Sequence, residues 1–156
     1  MTDNHAPGDL VLENFLPYRL SILTNRISQT LAGIYQERFG ISIPEWRVMA
    51  ILGRHSPLSS NLIAERGRMD KAKVSRAVSR LLDAGLITRE TDPRDNRLLI
   101  LKLSTRGKRI YAKITPMALA WESDLMSGLD DDDRAAMDRI LNKLSERVEE
   151  IRERDA

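Results

Sequence analysis

The chain has 156 residues, of which 42% are hydrophobic and only 4% aromatic, enough for one core and typical of long surface helices rather than of a β-sandwich. It has no cysteine, which excludes disulfides, thiolate metal sites and a thiol redox sensor. The net charge of +2 hides a basic middle segment, residues 66–109, with 13 Lys or Arg against five acids, and such a concentrated positive charge suits a polyanionic partner.

No apolar run approaches the roughly 20 residues that a membrane span requires, and the polar start shows no signal-peptide pattern. We therefore expect a cytoplasmic protein with no membrane partner. Residues 1–9 are expected to form a loose tail.

Six helices and one β-ribbon are expected along the chain. Apolar residues recur every three or four positions over 16–34, which predicts a long first helix that stops at Gly40. Ser42 and Glu45, three apart, are typical of the capping box that opens a second helix. This second helix should end near residues 53–55.

The third and fourth helices are expected to be short and joined by a charged turn. Ser59 or Ser60 can cap the third, and Asp70 can cap the fourth, which should run over residues 71–84. The inner face of the fourth helix should carry five apolar side chains. They are Val74, Ala77, Val78, Leu81 and Leu82.

The sequence after the fourth helix indicates a left-handed cap and then the ribbon. Gly85 occupies the position at which a helix favours a left-handed residue, and Leu86 can fold back onto Leu81. Residues 86–90 and 98–103 are expected to form the two strands.

Two further helices should follow the ribbon. Ser104 can cap a helix to about Ser127, which Pro116 should kink because proline removes a backbone hydrogen bond. The four acids Asp130–Asp133 favour the start of the last helix, where the helix dipole attracts negative charge. Its apolar stripe is longer than a domain of this size would bury alone. The stripe consists of Met137, Ile140, Leu141, Leu144, Val148 and Ile151.

The third and fourth helices form a helix-turn-helix pattern, whose second helix enters the major groove of DNA. Six polar side chains remain outside the apolar face of the fourth helix. We expect Lys73, Ser75, Arg76 and Ser79 nearest the bases, and Lys71 and Arg80 toward phosphate.

The charged turn Asp92–Arg97 at the tip of the ribbon is the second candidate for contact with DNA. Arg94 is the residue expected to enter a narrow minor groove, whose negative potential attracts arginine. Arg97 either contacts phosphate or pairs with Asp92, which would support the loop. In the alternative, the charged residues of this turn, Asp95 included, only satisfy one another on the surface.

From about residue 41 to 107 the chain resembles the MarR family of bacterial winged helix-turn-helix regulators. Five segments carry the resemblance: residues 44–48 (PEWRV), 62–65 (LIAE), 73–81 (KVSRAVSRL), 84–87 (AGLI) and the wing 92–97 (DPRDNR) leading to 103–107 (LSTRG).

The resemblance implies a mainly α fold with a small β-ribbon, in which a winged helix-turn-helix domain (41–104) is flanked by dimerisation helices (1–40 and 105–156). It implies a homodimer that binds a pseudo-palindromic double-stranded DNA operator, with repression as the expected effect. The dimer would account for the excess apolar stripe of the last helix.

The family also implies a small-molecule effector, either an aromatic acid or an aromatic acyl-CoA. Six side chains could hold a ring and a carboxylate: Tyr18, Arg19, Arg26, Trp46, Arg47 and Tyr111. In the alternative interpretation, Trp46 belongs to the core and the arginines are surface or ion-paired residues.

An enzyme is not expected. His5 and His55 are too isolated for a triad or a metal cluster, and no Gly-rich phosphate loop is present. The acids 130–133 point in different directions on a helix start, so capping explains them better than a metal site. We expect no cofactor and no metal. The remaining alternative is a winged-helix module that binds another protein instead of DNA.

Overall fold

The computed structural model describes residues 10–155, and the expected tail with His5 lies outside them. Within this range six α-helices and one two-stranded sheet follow one another, with short 3-10 turns at Leu12–Asn14 and Met126–Gly128. The elements are α1 (Leu16–Phe39), α2 (Ile43–His55), α3 (Ser60–Gly67), α4 (Lys71–Asp83), β1 (Ile87–Thr91), β2 (Leu99–Leu103), α5 (Thr105–Leu125) and α6 (Asp131–Arg154).

The local capping signals of the sequence act where they were expected. α1 ends at Gly40, which has a φ of 65° in the left-handed region. Ser59, rather than Ser60, caps α3, since its Oγ accepts from the Leu62 amide at 3.3 Å. Asp70 and Asp130 accept the amides three residues later at 2.9 and 2.8 Å. These bonds satisfy amides that have no partner within their own helix.

α4 buries its expected face and ends in the expected left-handed cap. Val74, Ala77, Val78 and Leu81 are buried, and Leu82 packs against the core in part. The Leu86 amide donates to the Leu81 carbonyl at 2.9 Å, and Gly85 has a φ of 66°. This pairing is the Schellman motif, in which glycine is favoured because it has no Cβ.

The ribbon pairs β1 and β2 antiparallel, from Ile87 opposite Leu103 to Thr91 opposite Leu99. Leu58, in the link before α3, forms a further bridge to Leu101, with backbone N–H to O distances of 3.2 and 2.8 Å in the two directions. No sequence pattern predicts this bridge, because strand pairing across 43 positions has no local signature.

The core lies where α1, α2, α3, α4, the ribbon and α5 meet within residues 32–114. Tyr35, Met49, Leu81 and Ile114 are among its largest fully buried side chains. At Gly53 the ring of Tyr111 lies so close that an added Cβ would overlap it. The helices that support α4 are therefore fixed against one another by continuous apolar packing.

The chain divides into two compact units, residues 1–118 and 119–156, and α5 continues past Pro116 from the first range into the second. α6 lies wholly in the second unit and buries none of its described residues. Ile140, Leu141 and Val148 of its apolar stripe are 52%, 47% and 53% exposed. The kink expected at Pro116 and the division of the chain by role into three segments stay predictions.

Candidate nucleic-acid interface

α3 and α4 form two packed helices joined by a tight turn. The turn is closed by the Met69 amide, which donates to the Ala64 carbonyl at 2.9 Å. The chain changes direction at Arg68, whose φ of 46° lies in the left-handed region that residues other than glycine rarely adopt. This arrangement is the helix-turn-helix that the sequence predicted.

The outer face of α4 is polar and open. All six side chains expected to contact DNA are exposed, in contrast to the buried face opposite them. These six are Lys71, Lys73, Ser75, Arg76, Ser79 and Arg80. Lys73, Arg76 and Arg80 are spaced by three and four positions and therefore share one side of the helix.

Arg80 also faces α2. Its Nη1 lies 3.7 Å from Oε1 of Glu45, whose side chain is only 10% exposed. The other carboxylate oxygen of Glu45 accepts the Ser42 amide at 3.0 Å. One carboxylate therefore closes the start of α2 and offsets a positive charge on α4.

The wing loop, Asp92–Arg97, consists of two successive Asp-x-Arg turns. The Asp92 carboxylate accepts the backbone N–H of Arg94 at 2.8 Å, and the Asp95 carboxylate accepts that of Arg97 at 3.0 Å. An aspartate commonly holds a turn in this way, by accepting the amide two residues on. Asp92 thus holds its turn through the backbone amide of Arg94.

The expected pairing of Arg97 with Asp92 is wrong. Arg97 instead forms a bidentate pair with Asp95, with Nε–Oδ1 at 3.1 Å and Nη2–Oδ2 at 3.3 Å. The turn that brings the Arg97 amide to Asp95 also places its guanidinium there, while Asp92 is engaged by Arg94. The side-chain hydrogen bond from Arg97, followed by its backbone N–H, holds the pKa of Asp95 below its usual value.

Arg94 differs from Arg97 in that its guanidinium has no hydrogen-bond or ion-pair partner among residues 10–155. The interpretation in which the charges of the turn only satisfy one another therefore fails at this residue. Arg94 also lines a cleft of about 500 Å³ together with Ser59 and Leu62 of the helix-turn-helix. The wing tip thus lies beside α3, with its one unpaired arginine available for a ligand.

Comparison with known proteins matches the part of the chain that carries the basic face of α4 and the wing. The model of the MarR family matches residues 39–98, which contain α2, α3, α4 and most of the wing. The transcriptional regulator BilQ of Clostridium symbiosum is 26% identical over 113 residues, which cover 72% of this chain and 78% of BilQ. Over this range the chain is similar to the MarR family.

Solved structures show that this chain has the fold expected from its sequence. A MarR/EmrR-family regulator from Acinetobacter sp. ADP1 superposes with a TM-score of 0.82 at 24% identity, over 90% of this chain and 99% of that one. BpsR of Bordetella bronchiseptica, described with regulation of its DNA binding by 6-hydroxynicotinic acid, gives a TM-score of 0.78 at 20% identity, over 88% and 98%.

The comparisons confirm three expectations. The fold is a mainly α winged helix-turn-helix with a small ribbon. The protein is a transcriptional regulator with a DNA-binding winged helix, and the homologous regulators are not enzymes. Across residues 10–155 we find neither a helix long and apolar enough to cross a membrane nor a group of three side chains suited to a metal ion.

The six candidate ligand residues divide between two places. Tyr18, Arg19 and Arg26 line a cleft of about 530 Å³ along the start of α1. Trp46 lies elsewhere, between the rings of Tyr35 and Tyr111, at centroid distances of 5.6 and 5.8 Å. This stacking favours a packing role for Trp46, in line with the second interpretation of the sequence.

Arg47 is exposed on α2 and lies near the aromatic stack. Burial raises the pKa of the Tyr35 hydroxyl, and the positive charge of Arg47 acts in the opposite direction. At the Tyr35 hydroxyl, burial is the larger of these two effects.

Sequence reasoning missed the residues that hold α4 from behind. Glu45 and Ser104 were each recognised only as residues that cap a helix. Arg106 was counted only as one positive charge of the basic segment. No pattern along the chain reveals these contacts, because each joins residues whose proximity depends on how the helices pack.

Proposed function

We propose that this protein is a homodimeric repressor in the bacterial cytoplasm, which binds a pseudo-palindromic operator and is released by a small aromatic acid or an aromatic acyl-CoA. The observation that carries the DNA-binding part is the unpaired guanidinium of Arg94 in the same lobe as the exposed polar face of α4. A protein-binding winged helix would have no need of so concentrated a positive charge.

In this proposal the two elements have different tasks. α4 enters the major groove, where Arg76 and Lys73 can reach guanine edges and Ser75 and Ser79 can bond either bases or phosphates. Lys71 and Arg80 lie toward phosphate, and Arg94 enters the adjacent minor groove. Arg97, whose charge is already offset by Asp95, contributes chiefly by holding the loop.

Selection of bound sequences from random DNA tests this proposal. We expect a pseudo-palindrome with half-sites one helical turn apart, about 34–36 Å. Arg76→Ala should weaken binding to the selected site by roughly 1–3 kcal/mol and relax the preference for one base pair. Arg54→Ala is the matched control, because Arg54 is an exposed arginine at the end of α2 with no hydrogen-bond or ion-pair partner in residues 10–155.

Two results would contradict different parts of this proposal. An Arg76→Ala protein that loses affinity equally for the selected site and for random DNA would remove base reading from Arg76. A wild-type protein that binds DNA without sequence preference, or with little dependence on salt, would instead favour the winged-helix module that binds another protein.

The homodimer is supported by apolar side chains that this chain alone leaves exposed. On α6 these include Ile140, Leu141, Val148 and Ile151, and on α1 they include Leu23, which is 54% exposed. An exposed apolar stripe on a helix, as on α1 and on α6, is typical of an interface. A two-fold dimer presents the same surface twice and places two copies of α4 on one side of the DNA.

The effector proposal is supported by the cleft on α1. Its volume of about 530 Å³ lies within the range of about 300–1,000 Å³ that is common for small-molecule sites. Arg19 and Arg26 can pair with a carboxylate, while Tyr18 and Leu20 offer apolar surface to a ring. The aromatic acid named with BpsR has the same combination of ring and acid.

Thermal unfolding with a panel of aromatic acids and their CoA thioesters tests the effector. A ligand at 100 times its dissociation constant should add about 2.7 kcal/mol to the free energy of unfolding, and it should release the selected DNA. Arg19→Ala should reduce this gain, whereas Arg54→Ala should not. If no member of the panel stabilises the protein, the aromatic effector is wrong and the DNA-binding proposal stands.

A further inference from the structure

Three successive backbone carbonyls at the exit of α4 accept hydrogen bonds from the first turn of α5. Arg106 Nη1 donates to Ala84 O at 2.9 Å, and Ser104 Oγ donates to Gly85 O at 2.7 Å. The Ser104 amide donates to Leu86 O at 3.0 Å. We call this group of contacts the exit clasp.

The exit clasp satisfies groups that α4 cannot satisfy itself. The left-handed cap uses the carbonyls of Leu81 and Leu82, but the carbonyls that follow have no partner within the helix. A positive charge at this end is also favoured by the helix dipole, which makes Arg106 a better donor than a neutral residue.

The clasp is also closely packed. The Ser104 hydroxyl accepts the Gly107 amide at 2.9 Å while it donates to Gly85, so one hydroxyl caps α5 and binds the exit of α4. Gly107 is buried, and a Cβ at this position would overlap the carbonyl oxygen of Leu86. The first turn of α5 therefore cannot tilt relative to the end of α4 without breaking these bonds.

We infer that Arg106 is a positioning residue that, with Ser104 and Gly107, fixes the angle at which α4 meets DNA, and that it is not a phosphate ligand. This inference rests on the proposed DNA-binding role of α4. Arg106 thus contributes to recognition through hydrogen bonds to backbone rather than through its charge on DNA.

Salt-dependent binding distinguishes the two roles of Arg106. Replacing a charged hydrogen bond should cost about tenfold in affinity for the selected site. We expect Arg106→Ala to show this loss with unchanged affinity for random DNA and an unchanged slope of log K against log salt. A phosphate ligand would instead lower the slope by about one ion and weaken binding to both DNAs.

Arg109→Ala is the matched control, since it removes an equal charge from the same helix. Arg109 is exposed, and no hydrogen bond or ion pair joins it to the described part of the chain. Its loss should leave operator discrimination at the wild-type value. Binding is measured where circular dichroism shows each variant folded.

Ser104 provides a second test that does not depend on Arg106. Ser104→Ala should lower affinity for the selected site and speed amide hydrogen exchange at residues 84–86, whereas Ser104→Thr keeps a hydroxyl and should restore both. The inference would be overturned if Arg106→Ala and Ser104→Ala kept the wild-type affinity for the operator and the wild-type rate of amide hydrogen exchange. A lowered slope of log K against log salt in Arg106→Ala would also overturn it. If the wild-type protein selects no DNA site, the proposed function fails with it.

Discussion

Arg80 on α4 lies 3.7 Å from the carboxylate of Glu45, which is at the start of α2. Glu45 is buried, whereas the Arg80 side chain is 71% exposed. The pair therefore connects the base of the helix-turn-helix to its DNA-facing surface. A positive charge that the sequence assigns to DNA phosphate is partly offset before any DNA binds.

Glu45→Gln should release this charge. Glutamine keeps an acceptor for the Ser42 amide, and the Arg80 side chain is mostly exposed. We therefore expect the free energy of unfolding to change by less than about 1 kcal/mol. The slope of log K against log salt should become steeper by up to about one ion. Glu65→Gln removes an equal charge from an exposed position on α3, and a steeper slope in that control would show that the effect is not specific to Arg80.

The two arginines of the wing loop should differ. Arg94→Ala should flatten the salt dependence by roughly one ion, because a free guanidinium is lost from a minor-groove contact. Arg97→Ala should flatten it less, because Asp95 already offsets that charge. Equal slopes for the two variants in fluorescence-anisotropy titrations would contradict the assignment of Arg94 to the minor groove.

Asp95 should titrate below the usual range of an aspartate, because Arg97 stabilises its charged form. Since its pKa is lower in the folded state, its contribution to stability is present above the unfolded-state value, about 3.9, and is lost as pH falls through the folded-state value. An NMR titration of the Arg97 amide should follow this change. In the Asp95→Asn variant, the Arg97 amide should show no such titration. A midpoint near 3.9 in the wild-type protein would show that the ion pair is not formed.

Gly107→Ala should destabilise the protein, since the added methyl group meets the backbone oxygen of Leu86. Overpacking of this kind costs typically about 1–3 kcal/mol. Gly33→Ala in α1 is the matched control, because its methyl group would meet no described atom within 4 Å, and helix propensity favours alanine there by about 0.5–1 kcal/mol. Urea unfolding at one protein concentration should show a lower free energy of unfolding for Gly107→Ala and a higher one for Gly33→Ala. A Gly107→Ala protein as stable as wild type would contradict the packing argument.

Leu141→Asp should produce a monomer. Leu141 is 47% exposed on the apolar stripe of α6, and burying an unpaired carboxylate in an interface is strongly unfavourable. Asn142→Asp places the same group on the neighbouring polar position and should leave the dimer intact. Light scattering at micromolar concentration checks both, and a Leu141→Asp dimer would exclude this stripe from the interface.

Local patterns predicted the elements well because their causes are local. The ends of α1, α3, α4 and α6 follow from a capping residue and a few hydrogen bonds within one turn. The exposed face of α4 follows from the 3.6-residue period alone. The bridge of Leu58 to Leu101 and the pairing of Arg97 with Asp95 were not predicted, because the first joins distant segments and the second depends on which of two aspartates a turn brings closer.

The sequence by itself determined the resemblance to the MarR family, the order of helices and ribbon, and the side chains that α4 turns outward. These features follow from periodicity, capping and turn chemistry, which depend on neighbouring residues. Only the tertiary structure decided which positive charges are free. Arg94 has no described partner, whereas Arg80, Arg97 and Arg106 are engaged by Glu45, Asp95 and Ala84. The physical reason is that a hydrogen bond or ion pair needs its partners within about 3–4 Å. The packing of separate helices sets these distances for Arg80 and Arg106, and the folded turn of the wing sets them for Arg97.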